Sequence, residues 1–141
     1  MAEEAKPSGL LPFVRHMIVC EHAEPSPSNP RRTNVYGIFS SIVVHGDAGA
    51  FPRSVGFSVY LSLTECRGDG EGRVIVSDAE SGDMCYAGAP HDIILSTNPL
   101  AIHEVIIRIP LCELPHPGVY LIAFEFDGVV LSQESLVVVV R

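Results

Sequence analysis

The chain has no tryptophan, and only 7% of its 141 residues are aromatic. Large rings therefore cannot build a core alone, and valine and isoleucine must supply much of it, a bias that suits strands. Charged residues are also few, 18% against 47% hydrophobic, which fits a packed core under a thin polar coat and excludes a disordered chain. Basic residues are scarcest. Nine Lys and Arg stand against seventeen Asp and Glu, a formal net charge of −8. A nucleic-acid binder replaces phosphate counterions with a basic stripe, and the densest basic spot here is Arg31-Arg32 inside a loop. Nucleic acid is thereby excluded as a partner. The same repulsion disfavours anionic membranes, and apolar runs such as VYLIAF and LVVVV are far shorter than a membrane span.

Cysteine pairs are missing too. Cys20, Cys66, Cys85 and Cys112 stand singly, with no CxxC spacing. The opening MAEEAKPSGLLPF lacks the basic start and long apolar segment of a secretory signal. These features predict a cytoplasmic protein with free thiols. A domain of this length buries about two-thirds of its unfolded surface, so it needs no disulfide, metal or cofactor to fold.

Helical periodicity is absent, and alternation with a period of two takes its place. The clearest case is SVGFSVYLSLT, Ser54 to Thr64: Val55, Phe57, Val59, Leu61 and Leu63 point one way, Ser58, Tyr60 and Ser62 the other. That predicts a strand with one core face and one wet face. FVRHMIVCEH, from Phe13, reads as a strand buried on much of both faces. VYGIFSSIVV, Val35 to Val44, reads as one strand in which Gly37 marks a bulge or a close backbone approach. A short strand falls around Met84 to Tyr86. In HEVIIRIPL, Val105, Ile107, Ile109 and Leu111 face inward, and Pro110, lacking a donor, places the strand at an edge or at its end. A stretch such as Ile93 to Ile106 has room for one helical turn.

The last hairpin is the best-defined unit. GVYLIAFEFDGVVL, Gly118 to Leu131, is strand, Asp127-Gly128 turn and returning strand, and Asp-Gly suits a type I′ turn. Tyr120, Ile122, Phe124 and Phe126 then share one aromatic face, and Phe126 opposes Val129 while Phe124 opposes Leu131. Phe57, Val59 and Leu61 are the expected partners of that face. About seven or eight strands at 8–12-residue spacing predict an all-β, Ig-like antiparallel β-sandwich. Residues 1–12, rich in acid and proline, form a flexible leader, and 13–141 form one domain.

Chemistry-bearing motifs are the largest absence. There is no GxSxG elbow, no HExxH and no phosphate-cradling glycine loop, so the chain reads as a non-enzyme. Arg67-Gly68-Asp69 is a turn in a chain without a secretory signal. Cys20 and His22, with His16, share a side of one strand but lack the three or four convergent ligands that zinc requires. The acidic turns make the better metal argument. Asp69 and Glu71 lie in one turn, and Asp78, Glu80 and Asp83 in the next; calcium takes six to eight such oxygens. These acids equally suit solvated turns.

Apolar excess points elsewhere. Ile106 sits on an otherwise wet face, and Val137 and Val139 make both faces of the last strand apolar. Either that strand is central and covered by loops, or these residues form an interface with a protein partner or with a second copy. An edge strand offered for pairing is a further route to a partner.

The order NVYGIFSSI, FPRSVGFSVYLSLT, a glycine-bearing turn and LPHPGVYLIAFEFDGVVLSQESLVV resembles a family of small bacterial all-β proteins of unknown function. Its members share a GIF…FP start, a GxYxF strand and a DG hairpin. The resemblance implies the fold and a bacterial source, and it implies no reaction, cofactor or catalytic residue.

Overall fold

The structure, a computed structural model, describes residues 11–65, 68–94, 98 and 100–141. Most of the predicted leader, Cys66, Arg67 and part of the Ile93–Ile106 stretch lie outside them. The described residues hold ten strands: β1 Phe13–Pro25, β2 Thr33–Ile38, β3 Ser41–Val44, β4 Arg53–Thr64, β5 Gly70–Asp78, β6 Met84–Ala87, β7 His91–Ile93, β8 His103–Leu114, β9 Gly118–Phe126 and β10 Val129–Val140. One 3₁₀ turn, Ala48–Ala50, is the only helical element among them, and no helix is long and apolar enough to cross a membrane. The chain is all-β, as its alternation requires.

The strands form two sheets. A four-stranded sheet runs β2-β1-β4-β8; a six-stranded sheet runs β3-β10-β9-β5-β6, with β7 also on β5. One buried cluster joins them, with Phe57, Leu61 and Ile109 from the first sheet and Ile122, Phe124 and Leu136 from the second. The aromatic face of β9 lies in that cluster with Phe57, Val59 and Leu61, as the hairpin pattern predicts. The Asp127-Gly128 turn has positive φ at both residues, 51° and 82°, which is the type I′ geometry.

The strand count exceeds the expected seven or eight because Val35–Val44 is two strands and β7 is a further short one. β2 pairs with β1 in the four-stranded sheet; after Phe39 and Ser40, β3 pairs with β10 in the other, and does so in parallel. The second sheet is therefore mixed rather than antiparallel. Gly37 sits at this crossing with φ 66°, and a Cβ there would lie 2.5 Å from the Glu21 side chain. The close neighbour at Gly37 is thus a side chain and not another stretch of backbone.

Two bulges change the predicted register. In β10 the pairing shifts between Val130 and Ser132, so Phe124 opposes Ser132 and not Leu131. In the β4–β8 ladder it shifts between Val55 and Phe57, opposite Pro110. Gly56 lies so close to the Pro110 carbonyl that a Cβ would stand 2.8 Å away. A bulge reverses the parity of the residues beyond it. Leu111 therefore faces out, and Cys112 takes the core position. β8 is an edge strand, as Pro110 requires.

The supposed wet face of β4 is dry. Ser58, Tyr60 and Ser62 are all buried. β1 pairs with β4 only as far as Cys20 and then continues with β2 as a hairpin to Pro25 and Thr33. That hairpin returns over the outer face of its own sheet. Thr33 Oγ1 donates to Glu104 Oε1 at 2.5 Å, and the Arg108 guanidinium donates to the Ala23 carbonyl at 3.5 Å. Cys20, Ala23 and Tyr60 form a second small buried cluster beneath it, packed by Ile18, Val35 and Ile106.

Candidate functional site

The five acidic residues do not converge. Asp69 and Glu71 lie at the start of β5, and Asp78, Glu80 and Asp83 lie at and beyond its end. The length of β5 separates Glu71 from Asp78, roughly 23 Å at the rise of an extended chain. No group of three or more His, Cys, Asp or Glu that could hold a metal occurs among the described residues. Asp78 is 6% exposed and fully engaged. Its Oδ1 accepts the amides of Glu80 at 2.8 Å and Ser81 at 3.4 Å, and its Oδ2 accepts His116 Nε2 at 2.7 Å. These bonds, the Glu80 amide first, hold its carboxyl below the usual range. This carboxylate builds the β5–β6 turn and ties it to the β8–β9 corner.

That corner carries a feature the sequence reading passed over. Tyr120, fully buried at the start of β9, donates its hydroxyl to the His116 carbonyl at 2.5 Å, and the His116 amide donates back to the hydroxyl at 3.3 Å. Pro115-His116-Pro117-Gly118 makes the sharp turn that brings the two together. His116 also uses both ring nitrogens, Nδ1 toward the Pro117 carbonyl at 2.7 Å and Nε2 toward Asp78. Two acceptors favour the imidazolium and raise its pKa, the Pro117 carbonyl contributing most.

The three described cysteines are placed as packing residues, and Cys66 lies outside the described residues. Cys20 is buried and donates to the Ser58 carbonyl at 3.6 Å; Cys112 is a core residue; Cys85 is half-buried. Burial raises all three thiols, Cys112 to about 11, so each is protonated at neutral pH. His22 meets Glu24 at 3.1 Å.

The three apolar residues singled out as an interface lie on two different sheets. Ile106 belongs to β8 and is half-buried against the second cluster, covered by the β1–β2 hairpin. Val137 and Val139 belong to β10 and face outward from the six-stranded sheet, because Leu136 and Val138 fill the core. Cross-strand register extends their surface. Val137 lies between Val119 and Ser41, and Val139 beside Val43. Farther along, Ser135, Leu121 and Ser77 form the next row, then Ala123 and Ile75. No charged residue occurs in these rows. Val43 and Val119 are each 44% exposed and Val137 is 38% exposed. The first charges appear where Arg73 Nε meets Glu125 Oε1 at 3.1 Å. The face is open around Val43, Val119 and Val137 and closes toward Ile75, which is buried.

The smaller sheet carries the opposite arrangement, and no local signal announced it. Tyr60 of β4 donates its hydroxyl to Glu104 Oε2 while Thr33 of β2 donates to Oε1, so one carboxylate oxygen holds the hairpin and the other ties Glu104 to the neighbouring strand. Burial, and next Glu104, push Tyr60 up to about 12. Glu104 lies 44 positions from Tyr60 and 71 from Thr33 in the chain. Beside this network opens a groove of about 520 Å³, walled by Arg15, His16, Pro30 and Arg31 and floored by Tyr60 and Ser62.

Set against known proteins, the chain matches no family model and no curated protein. Several solved structures are similar at low level. An alkylpurine DNA glycosylase from Pseudomonas fluorescens bound to DNA with an abasic-site analog is 10% identical, TM-score 0.46, over 90% of this chain and 30% of its own. A β-glucosidase from Listeria innocua is 12% identical, TM-score 0.43, over 71% and 14% respectively. The CARDB domain of a Pyrococcus furiosus protein in complex with di-metal ions is 13% identical, TM-score 0.38, over 92% and 96%. The chain thus spans under a third of the two enzyme chains. Similarity of this degree supports no inference about function.

Proposed function

We propose that this chain is a non-catalytic assembly module of the bacterial cytoplasm, with an Ig-like fold, that pairs with a second copy of itself through the outer face of β3, β10, β9 and β5. Strand order supports the fold assignment. β1, β4 and β8 correspond to strands A, B and E of an Ig-like sandwich, and β10, β9, β5 and β6 to G, F, C and C′. The hydroxyl of Tyr120 on the His116 carbonyl matches the tyrosine corner found at the E–F junction of such domains.

One observation carries the self-association reading. A chain with a net charge of −8 keeps the rows around Val137 on this face free of charge, up to the Arg73–Glu125 pair, and exposes valines there. Two copies of so acidic a protein repel, and a charge-free patch is where they approach at least cost. A two-fold interface places the same patch on both sides, so the patch must complement itself; alternating valine and serine does this without matched charges. Light scattering on the size-exclusion eluate tests the reading. The expected result at high micromolar concentration is twice the mass of one chain, and a strict monomer there would overturn it.

A further inference from the structure

We propose that the groove beside the β1–β2 hairpin is a binding site for a small oxyanion, a molecule presenting a phosphate or carboxylate group, held by the guanidinium groups of Arg15 and Arg31. It lies on the face away from the one assigned to self-association and stands independently of that reading.

The argument begins with charge. The chain has only nine Lys and Arg in all, yet two of them wall this one groove of about 520 Å³, which His16 also lines. Arg15 comes from β1 and Arg31 from the loop between β1 and β2, so the fold brings together cations that the sequence separates. Neither guanidinium forms an ion pair or hydrogen bond among the described residues, whereas Arg73 and Arg108 each have a partner. One carboxylate, Glu104, also lines the groove. Its two oxygens already accept the Thr33 and Tyr60 hydroxyls, so it is committed to the clamp. Two guanidiniums against one carboxylate leave the groove with a positive balance in a protein of net charge −8.

The floor is built of polar side chains. Ser62 is 1% exposed and Tyr60 8% exposed, a buried polar floor. The Tyr60 hydroxyl donates to Glu104, so the groove's donors toward an anion are the two guanidinium groups. Guanidinium forks match the paired oxygens of carboxylate and phosphate, and such charge-assisted bonds are stronger than neutral ones. The class of ligand follows from that chemistry: a small anion with two or more acceptor oxygens. A long nucleic-acid backbone is disfavoured by the acidic remainder of the surface.

The test is calorimetric titration of the full chain at low ionic strength with inorganic phosphate, pyrophosphate and citrate, the first two representing phosphoryl ligands and the third carboxylates. Saturable one-site binding of at least one probe is expected. Arg15→Gln and Arg31→Gln should each weaken it by roughly tenfold or more, the scale of one lost charge-assisted hydrogen bond. Arg53→Gln, an exposed arginine outside the groove, should leave it within about twofold. Absence of saturable binding by any probe overturns the site, as does equal weakening by Arg53→Gln, which would mean bulk charge alone. Amide shifts of the unmodified chain give a reading free of any folding defect in the variants. Perturbation centred on His16, Ser62 and Glu104 supports the site, and perturbation centred elsewhere overturns it.

Discussion

The two outer faces of this molecule have reversed the roles their sequences suggest. β4 alternates Val-Gly-Phe-Ser-Val-Tyr-Leu-Ser-Leu, the pattern of a strand with water on one side, yet Ser58, Tyr60 and Ser62 are buried under the chain's own hairpin. β10 is apolar on both sides, the pattern of a strand that needs cover, yet Val137 stays open beside Val119 and Val43. Alternation reports which side chains face the shared core. Whether the other side is covered depends on where a distant segment returns, and no period of two records that. The smaller sheet closes its second face with a polar network of its own, and the larger sheet leaves valines exposed on part of its second face.

The sharpest way to break this contrast is to place the same charge on both faces. Ala23→Asp puts a carboxylate into the fully buried layer under the hairpin and should cost about 3 kcal/mol or more, read as the loss of unfolding free energy in urea. Val137→Asp puts it on the open face and should cost under about 1 kcal/mol in the monomer. Equal losses would mean that the two faces are equally covered.

The clamp is the next target. Tyr60→Phe removes the hydroxyl that donates to Glu104 Oε2, with a predicted loss of about 1–2 kcal/mol in the same assay. Protease cleavage between Pro25 and Thr33 should quicken as the hairpin loosens. Unchanged stability and cleavage would show that packing alone holds it down.

A smaller effect, in pH dependence, belongs to the corner where one sheet passes into the other. The His116 pKa lies above its ordinary 6.5 through the Pro117 carbonyl and Asp78, so this stabilisation is complete below 6.5 and fades as pH rises through the folded value. The Asp78 pKa lies below 3.8, so its share is complete above 3.8 and fades as pH falls through the lowered value. The difference in Tm between the native chain and His116→Asn should therefore be widest between about pH 4 and 6.5 and narrow above it. A difference independent of pH would leave the ion pair without a role.

How much of this was legible beforehand depends on how local each signal was. The Asp127-Gly128 turn holds the last hairpin in register within a few residues, so the burial of Tyr120, Ile122, Phe124 and Phe126 could be read directly. Leu111 and Leu131 were misplaced because a single extra residue, at Gly56–Pro110 and at Leu131, inverts the parity beyond it. The division of Val35–Val44 between two sheets turns on Gly37 and on strands more than ninety positions away. Tyr120 and His116 were readable in principle, since a Pro-His-Pro-Gly turn four residues before a tyrosine has a local spacing. The Thr33–Glu104–Tyr60 clamp and the Arg15–Arg31 groove were not, because only the folded chain brings those residues together. For Asp69, Glu71, Asp78, Glu80 and Asp83, nearness in sequence hid the length of the strand between them.

The most direct test of the central claim, that one outer face is closed by the chain itself and the other left open for a second copy, is methyl NMR of the valines and isoleucines across a dilution series. The account predicts that Val43, Val119 and Val137 shift with protein concentration while Val35 of the hairpin and Ile106 beneath it do not. Shifts confined to Val35 and Ile106, or no concentration dependence into the high micromolar range, would contradict it.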